Sequence, residues 1–367
     1  MIYHVSFPGL GLEFTVNRVA FTLFGMPIYW YGVLIALGLT LGLVYAFAHA
    51  RSYGIDSDRM VDVIMVATVF AIIGGRAFYV ATAPFEYQSF AQMLDIRQGG
   101  VAIYGAVIGA FIAGYFMCKW RKVNVLPMFD LAAVGFLIGQ CVGRWGNFVN
   151  QEAFGTNTTM PWGMLSEGTT AYLAGMQSTL AAQGIVVDPA LPVHPTFLYE
   201  SLWCGLGFLL LWAYQRHRKF HGEIVLLYVI WYGVERFFVE GLRTDSLMVG
   251  SFRISQVLAA ASVLVAGALW MVLRRKYKGQ TVLVSWPVLD KRLAGPAVIT
   301  WKLGEAAPSM DELKRRTEEL VAAQDAPAQA PEEAAQPAAP AEEAGEENMQ
   351  AEQPQEDEEA AQPPEHQ

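Results

Sequence analysis

The sequence predicts an all-α polytopic membrane protein with about seven transmembrane helices, a small extracytoplasmic head domain and a disordered C-terminal tail. Of its 367 residues, 54% are hydrophobic and 16% are charged, whereas soluble proteins carry about 25% charged residues. The apolar residues are concentrated in runs close to the ~20 residues that a helix needs to cross the hydrocarbon core. Lipid is therefore the expected solvent for most of the chain.

Seven such runs follow one another along the chain. The N-terminus lacks the basic, apolar and small-residue order of a cleaved signal peptide, so the first run is expected to be retained as a helix. An odd number of spans places the two termini on opposite sides of the membrane. The runs lie around residues 28–50, 60–82, 101–118, 126–144, 196–215, 222–242 and 252–273.

Lys and Arg are unevenly distributed between the connections. Alternate connections form two sets, one for each side of the membrane. In one set, the stretch from Trp145 to Pro195 has no Lys or Arg, and the other connections contain only Arg18, Arg97 and Arg243. Cytoplasmic loops carry the excess of Lys and Arg, so the N-terminus is predicted to lie outside and the C-terminal tail in the cytoplasm. The opposite set contains Arg51, Arg59, Lys119, Arg121, Lys122, Arg216, Arg218, Lys219, Arg274, Arg275, Lys276 and Lys278.

The expected domains are a transmembrane catalytic body over residues 1–278 and a cytoplasmic tail over 279–367. The head is an insertion at about 145–195, which is rich in Gly, Thr, Pro and Met and too polar to span. The tail contains an amphipathic helix candidate near 309–321, and from about 322 a low-complexity acidic tract rich in Ala, Pro, Glu and Gln. Thirteen carboxylates in 322–367 give the chain its net charge of −9, and the remainder carries +4. No basic stripe with interleaved aromatics indicates a nucleic-acid partner.

The densest group of polar residues lies in the segment 143–155, Gly-Arg-Trp-Gly-Asn-Phe-Val-Asn-Gln-Glu-Ala-Phe-Gly. Arg144 can offer a planar fork of donors to a phosphate, and the glycines allow the backbone to approach a ligand closely. An Arg that only reaches the lipid headgroups, beside glycines that serve helix packing, explains the same residues equally well. Residue types alone leave both interpretations open.

A second group of ionisable residues lies late in the sixth run. Tyr232, Arg236, Glu240 and Arg243 recur at helical spacing on one face, while Glu235 points elsewhere and could simply meet the membrane interface. Ionisable residues inside a membrane usually face the bundle interior and mark a functional path. The alternative is an Arg236–Glu240 pair that only holds helices together.

Several residues are explained by structure as well as by function. Gly105 and Gly109 form a small-residue face for close helix contact. Tyr104 and Tyr31 match aromatic anchors at the membrane interface as well as site residues. Arg76, in the second run, is a cation that requires an acceptor inside the membrane.

The sequence shows no metal-ligand spacing, no nucleotide-binding Gly loop and no Gly-x-Ser-x-Gly elbow, so no cofactor and no metal are expected. Cys118, Cys141 and Cys204 lie within or at the ends of apolar runs and are predicted to be packing residues. His194, which precedes Pro195 at the start of the fifth run, is interpreted as a cap or loop residue.

The segment 143–155 resembles the signature of bacterial prolipoprotein diacylglyceryl transferases at nearly every informative position. The resemblance covers roughly residues 15–275, including the Tyr-Gly of the first run, the Gly-Gly…Tyr-Gly…Ile-Gly helix, His-Pro-Thr at 194–196 and Arg236 to Arg243. It implies a seven-helix enzyme of the bacterial cytoplasmic membrane with a head over a cavity open sideways to lipid.

The same resemblance implies a reaction and its partners. The family moves the diacylglyceryl group of phosphatidylglycerol onto the lipobox cysteine of prolipoproteins, forms a thioether and releases glycerol 1-phosphate. This is the first step of bacterial lipoprotein maturation. The expected partners are phosphatidylglycerol, prolipoprotein signal-peptide segments and membrane lipids, without nucleic acid.

The resemblance also assigns site residues. Arg144 and Arg236 are expected to bracket the lipid phosphate as catalytic residues, with Tyr104 as the third. Many relatives carry His where this chain has Tyr104, and Gly where it has Gln151. An imidazole with a reference pKa of about 6.5 accepts a thiol proton more readily than a phenol at about 10, so the general base stays open. The expected substrate-binding residues are Arg144, Asn147, Glu152, Gly155, Tyr31, Tyr232, Glu240 and Arg243.

Two other classes of function remain alternatives. Arg76, Arg144, Arg236 and Glu240 could line an anion path through a transporter or channel, and the body could be a lipid-binding scaffold. Alternating access favours interrupted helices near the midplane, whereas the polar residues of 143–155 cluster on one side. This asymmetry favours an enzyme with a one-sided site.

Overall fold

The computed structural model describes residues 2–325, except for 84, 86, 96–98, 245, 247, 250 and 251. Arg97 and the acidic tract beyond residue 325, for which predictions were made above, lie outside the described residues. The helices are α1 (Trp30–His49), α2 (Ser57–Thr82), α3 (Phe90–Leu94), α4 (Ile103–Trp120), α5 (Val125–Asn150), α6 (Glu167–Ala182), α7 (Thr196–Tyr214), α8 (Glu223–Leu242), α9 (Ile254–Lys276) and α10 (Met310–Asp325). The strands are β1 (Ile2–Phe7), β2 (Leu12–Asn17), β3 (Val19–Leu23), β4 (Met26–Tyr29), β5 (Leu165–Ser166), β6 (Met248–Val249), β7 (Phe252–Arg253), β8 (Leu283–Val288) and β9 (Ala297–Lys302).

Each of the seven predicted runs forms a long helix. Among the described residues, six helices are long and apolar enough to cross a membrane: α1, α2, α4, α5, α7 and α9. The seventh, α8, has 20 residues but contains Glu235, Arg236 and Glu240, and such charges are costly in lipid. The all-α polytopic membrane fold is confirmed, whereas a span at α8 stays a prediction.

Glycines bring α2 and α4 into close contact. A Cβ added at Gly105 would lie 2.2 Å from the carbonyl oxygen of Gly74, and one at Gly109 would lie 2.3 Å from that of Phe70. The predicted small-residue face of α4 is therefore confirmed. A similar contact joins α1 to α5, where a Cβ at Gly38 would lie 3.0 Å from the carbonyl oxygen of Gly139.

Gly105→Ala is expected to lower the melting temperature of the purified protein, because the added methyl group would clash with the backbone of α2. Overpacking of this kind costs about 1–3 kcal/mol. Gly267→Ala in α9 is the matched control, since a Cβ there would meet no atom within 4 Å. Thermal unfolding in detergent measures both variants, and equal melting temperatures would contradict the close contact.

The head combines the N-terminal strands with the connection between α5 and α7. β1 pairs antiparallel with β2 on one side and with β5 on the other. Side chains from these strands and from α6 form one apolar core, which includes Val5, Met164, Leu173 and Leu180. The participation of β1 and β2 was not predicted, and α5 continues to Asn150, six residues beyond its predicted end.

Residues after α9 form a second small apolar core. Val284, Ile299 and Trp301 of the β8–β9 hairpin pack with Leu313 of α10, so the helix predicted near 309–321 is confirmed, while the hairpin was not predicted. The side-chain amide of Asn124 donates to the Ser285 carbonyl over 3.1 Å. The hairpin therefore contacts the α4–α5 connection, at the end of α5 opposite to the head, and the predicted boundary at 278 stays a prediction.

Asp130 fixes where α8 begins relative to α5. Its carboxylate is fully buried and accepts hydrogen bonds from the backbone amides of Gly222 (2.7 Å) and Val225 (2.9 Å). In the first turn of α8, the buried Glu223 pairs with Arg274 of α9 over 3.0 Å. These contacts fix the position of α8 relative to α5 and α9, so that Arg236 lies at the other end of the helix bundle.

Candidate active site

Two guanidinium groups from different helices converge on one buried carboxylate. Nη1 of Arg144, near the end of α5, lies 3.1 Å from Oε2 of Glu200 in α7. Nη1 of Arg236, late in α8, lies 3.5 Å from Oε1 of the same Glu200. The two arginines on which the predicted chemistry depends therefore lie in one site, at the head end of the bundle.

The arginines are accessible and the carboxylate between them is not. The side chains of Arg144 and Arg236 are 18% and 21% exposed, whereas that of Glu200 is 0% exposed. Nη2 of Arg236 also lies 2.5 Å from Oε2 of Glu240, one turn further along α8. The expected Arg236–Glu240 pair exists, but it is part of a network that spans three helices. An anion can thus approach the exposed edges of the two guanidiniums, whose other edges pair with buried carboxylates.

Hydrogen bonds between α5 and α7 hold Arg144 against Glu200. The Trp145 indole donates to the Ser201 hydroxyl over 3.1 Å, and this hydroxyl donates to the Cys141 carbonyl over 2.8 Å. At the start of α7, the Thr196 hydroxyl donates to the Ala153 carbonyl. These contacts fix the end of α5 against α7 and so place Arg144 beside Glu200.

Asn147 and Glu152 shape the turn that follows Arg144. The Glu152 amide donates to the Asn147 carbonyl over 3.0 Å, and the Asn150 amide group donates to Glu152 Oε1 over 3.2 Å. The Glu152 side chain is exposed and that of Asn147 is half-buried. These contacts hold the loop, and the expected role of both residues in substrate binding stays a prediction.

Gly155 lies where the head loop crosses the ends of α7 and α8. Its amide donates to the His194 carbonyl over 2.9 Å, and its backbone bridges to that of Arg243. A Cβ at this position would lie 2.8 Å from that of His194. Close backbone packing therefore explains this glycine, and substrate contacts of Gly155 and Arg243 stay predictions. His194 is a loop residue, as expected, and partial burial lowers its pKa.

Two predicted tyrosines flank the arginine pair. Tyr31 packs against Gly146, where a Cβ would lie 2.5 Å from its ring, and it lies within electrostatic range of Arg144 and Glu152. Tyr232 lies within range of both Arg144 and Arg236. Its ring stacks on Tyr228 at a centroid distance of 6.0 Å.

Tyr104 makes its direct contacts away from the arginine pair. Its hydroxyl is 3.4 Å from that of Ser255 at the start of α9, and its exposed ring packs near Phe78 of α2. Among the described residues, no hydrogen bond or ion pair joins Tyr104 to Arg144 or Arg236. Its catalytic assignment stays a prediction.

Arg76 has its acceptors in the connection before α4. Its guanidinium donates to the carbonyls of Gln92 (2.9 Å), Met93 (2.7 Å), Gly99 (3.1 Å) and Gly100 (2.9 Å). It therefore holds that connection against α2. These carbonyls are the acceptors that a cation at this position was expected to require.

The family is decided by sequence comparison. The model of the family described as prolipoprotein diacylglyceryl transferase matches residues 18–272. The chain belongs to the prolipoprotein diacylglyceryl transferase family. Relatives from Finegoldia magna, Bacillus cereus and Clostridioides difficile are each named phosphatidylglycerol–prolipoprotein diacylglyceryl transferase. They are 42%, 41% and 38% identical to this chain over 272, 271 and 250 residues. These alignments cover 73%, 73% and 68% of this chain and 98%, 95% and 92% of the relatives.

Glu200 and Glu235 lie close to the arginine pair but were not predicted as site residues. Glu200 received no role from the sequence, although a carboxylate just inside an apolar run is itself a signal. The expectation that Glu235 meets the membrane interface is wrong, because its side chain is buried and only 4% of the residue is exposed. Among the described residues, no cluster of three or more potential metal ligands is found.

Proposed function

We propose that this chain transfers the diacylglyceryl group of phosphatidylglycerol to the lipobox cysteine of prolipoproteins, with formation of a thioether and release of glycerol 1-phosphate. The observation that carries the proposal is the convergence of Arg144 and Arg236 on Glu200. Family membership and the names of the relatives support the same reaction. The sequence gives no reason to expect a cofactor in it.

The reaction forms a carbon–sulfur bond and breaks a carbon–oxygen bond. The cysteine sulfur attacks the terminal glyceryl carbon, the phosphate oxygen leaves with the bonding electrons, and the thiol proton passes to a base or to the leaving phosphate. The charge on the phosphate group grows from −1 to −2 as the bond breaks. Preorganised cations stabilise such a transition state in a water-poor site, and we assign this role to Arg144 and Arg236.

We further propose that the enzyme is a multi-pass protein of the bacterial cytoplasmic membrane with its N-terminus and head outside. The Lys/Arg-rich connections, and with them the C-terminal tail, then lie in the cytoplasm. The arginine pair is at the head end of α5 and α8, and thus near the outer leaflet. There it meets both the lipid and the precursor segment that precedes the lipobox cysteine.

The decisive experiment mixes the purified protein with phosphatidylglycerol and a peptide that bears a lipobox cysteine. Mass spectrometry is expected to show the thioether lipopeptide and glycerol 1-phosphate in equal amounts. A protein that binds the lipid without product would be a scaffold. Anion flux into liposomes without product would instead indicate a transporter or channel.

Tyr104→Phe is expected to lower transfer about tenfold, the effect of losing one hydrogen bond to a charged group. We expect the loss in KM for phosphatidylglycerol rather than in the pH profile, because Tyr104 then positions the lipid instead of removing the thiol proton. Tyr104→His, which introduces the residue found in many relatives, should retain transfer. If transfer by Tyr104→Phe no longer depended on pH in the alkaline range, Tyr104 would instead be the base.

A further inference from the structure

Glu235 is a buried carboxylate for which the proposed mechanism has no use. Both of its oxygens are buried, and among the described residues neither has a hydrogen-bond partner. The two neighbouring site carboxylates differ from it, because Glu200 pairs with Arg144 and Arg236, and Glu240 pairs with Arg236. Burial of an ionised carboxylate without a donor is unfavourable, so this residue calls for an explanation.

The surroundings of Glu235 are those of the phosphate site. Electrostatic interactions couple it to Arg144 of α5, to Glu200 of α7, to Arg236 of its own helix and to Arg243. The other titratable groups that interact with it are Cys204 of α7 and Tyr228 and Tyr232 of α8. On the α9 side, Arg253 donates to the backbone carbonyl of Glu240.

The cluster contains charges of both signs before a lipid enters. Its cations are Arg144, Arg236, Arg243 and Arg253, and its carboxylates are Glu200, Glu235 and Glu240. A phosphodiester brings one more negative charge into the same buried region. Glu200 and Glu240 each pair directly with an arginine, whereas Glu235 has free lone pairs on both oxygens.

We propose that Glu235 is a positioning residue that takes up one proton when the lipid phosphodiester binds between Arg144 and Arg236. The proton removes the repulsion between the Glu235 carboxylate and the phosphate and leaves both guanidiniums directed at the phosphate. Glu235 touches neither substrate and acts through the arginines. The inference rests on the proposed function, because it assigns the phosphate to this arginine pair.

Equilibrium binding of fluorescent phosphatidylglycerol to the full-length protein in detergent, without peptide, tests the proposal. Uptake of one proton makes binding weaken as pH rises through the range where Glu235 ionises, by about tenfold per pH unit at most. Glu235→Gln should remove this slope and bind more tightly than the unaltered protein at alkaline pH. Glu235→Asp should keep the slope, and diacylglycerol, which lacks the phosphate, should show none.

Glu223→Gln is the matched control, because Glu223 is also buried and lies at the other end of the same helix. It should keep the slope of the unaltered protein. An identical slope in Glu235→Gln, or a flat profile in the unaltered protein, would overturn the inference. The transfer assay separates this outcome from failure of the proposed function, because an unaltered protein that makes lipopeptide with a flat binding profile refutes only the role of Glu235.

Discussion

Arg144→Lys is expected to reduce diacylglyceryl transfer by about a hundredfold or more, although the positive charge is retained. A guanidinium presents two parallel donors to a phosphate, whereas an ammonium is a point charge on a flexible stem. Arg144 must also reach Glu200, from which its Nη1 lies 3.1 Å away, while its exposed edge meets the lipid. Loss of one preorganised donor to a developing oxyanion typically reduces kcat by about 10²–10³.

The matched control for this variant is Arg121→Lys. Arg121 also pairs with a carboxylate, Asp62, over 2.6 Å, but both side chains are well exposed at the connection after α4. Exposed ion pairs contribute about 0–1 kcal/mol, so transfer and melting temperature should be unchanged. Production of lipopeptide by Arg144→Lys at the rate of this control would refute the role assigned to Arg144.

The features that the sequence predicted well are those set by the membrane. Long apolar runs locate helices because every backbone polar group must be satisfied inside lipid, and all seven runs are helical. The same solvent makes intramembrane charge informative, which is why Arg144 and Arg236 could be singled out before their geometry was known. Gly105 and Gly109 were recognisable because close helix contact in lipid requires small residues.

The features that were missed depend on contacts between residues distant in sequence. β1 joins the head through pairing with β5, more than 150 residues away, and β2 joins it through β1. Helical spacing separated Glu235 from the face of Arg236 and Glu240, and Glu235 was expected to meet the membrane interface, but spacing gives no account of how α5 and α7 surround α8. An internal face thus received the wrong interpretation because the periodicity of one helix does not identify its neighbours.

Gln151 departs from the family pattern, and the reason for this departure is visible only in the structure. The residue ends α5 with a φ of 56°, a left-handed conformation that favours glycine, and many relatives have Gly there. In this chain the Gln151 side chain accepts a hydrogen bond from the Ser166 hydroxyl over 2.5 Å. This bond ties the end of α5 to the start of α6 and offsets the backbone strain.

Glu200→Gln is expected to produce the second large loss of activity, since one neutral amide would replace the carboxylate that holds both arginines. Removing one partner of a buried ion pair typically costs about 3–5 kcal/mol, so the melting temperature in detergent should fall. The released guanidiniums can still bind an anion, so KM for phosphatidylglycerol should change little. The loss, about a hundredfold, should appear in kcat because preorganisation toward the leaving phosphate is lost.

Glu223→Gln separates loss of this preorganisation from loss of stability. Glu223 is also fully buried and also pairs with an arginine, Arg274, over 3.0 Å, but at the opposite end of α8. Its variant should lose comparable stability and keep its kcat per folded molecule. If the two variants lost kcat equally, the activity loss of Glu200→Gln would be due to loss of stability. If Glu200→Gln kept its kcat, Arg144 and Arg236 would not depend on the carboxylate between them.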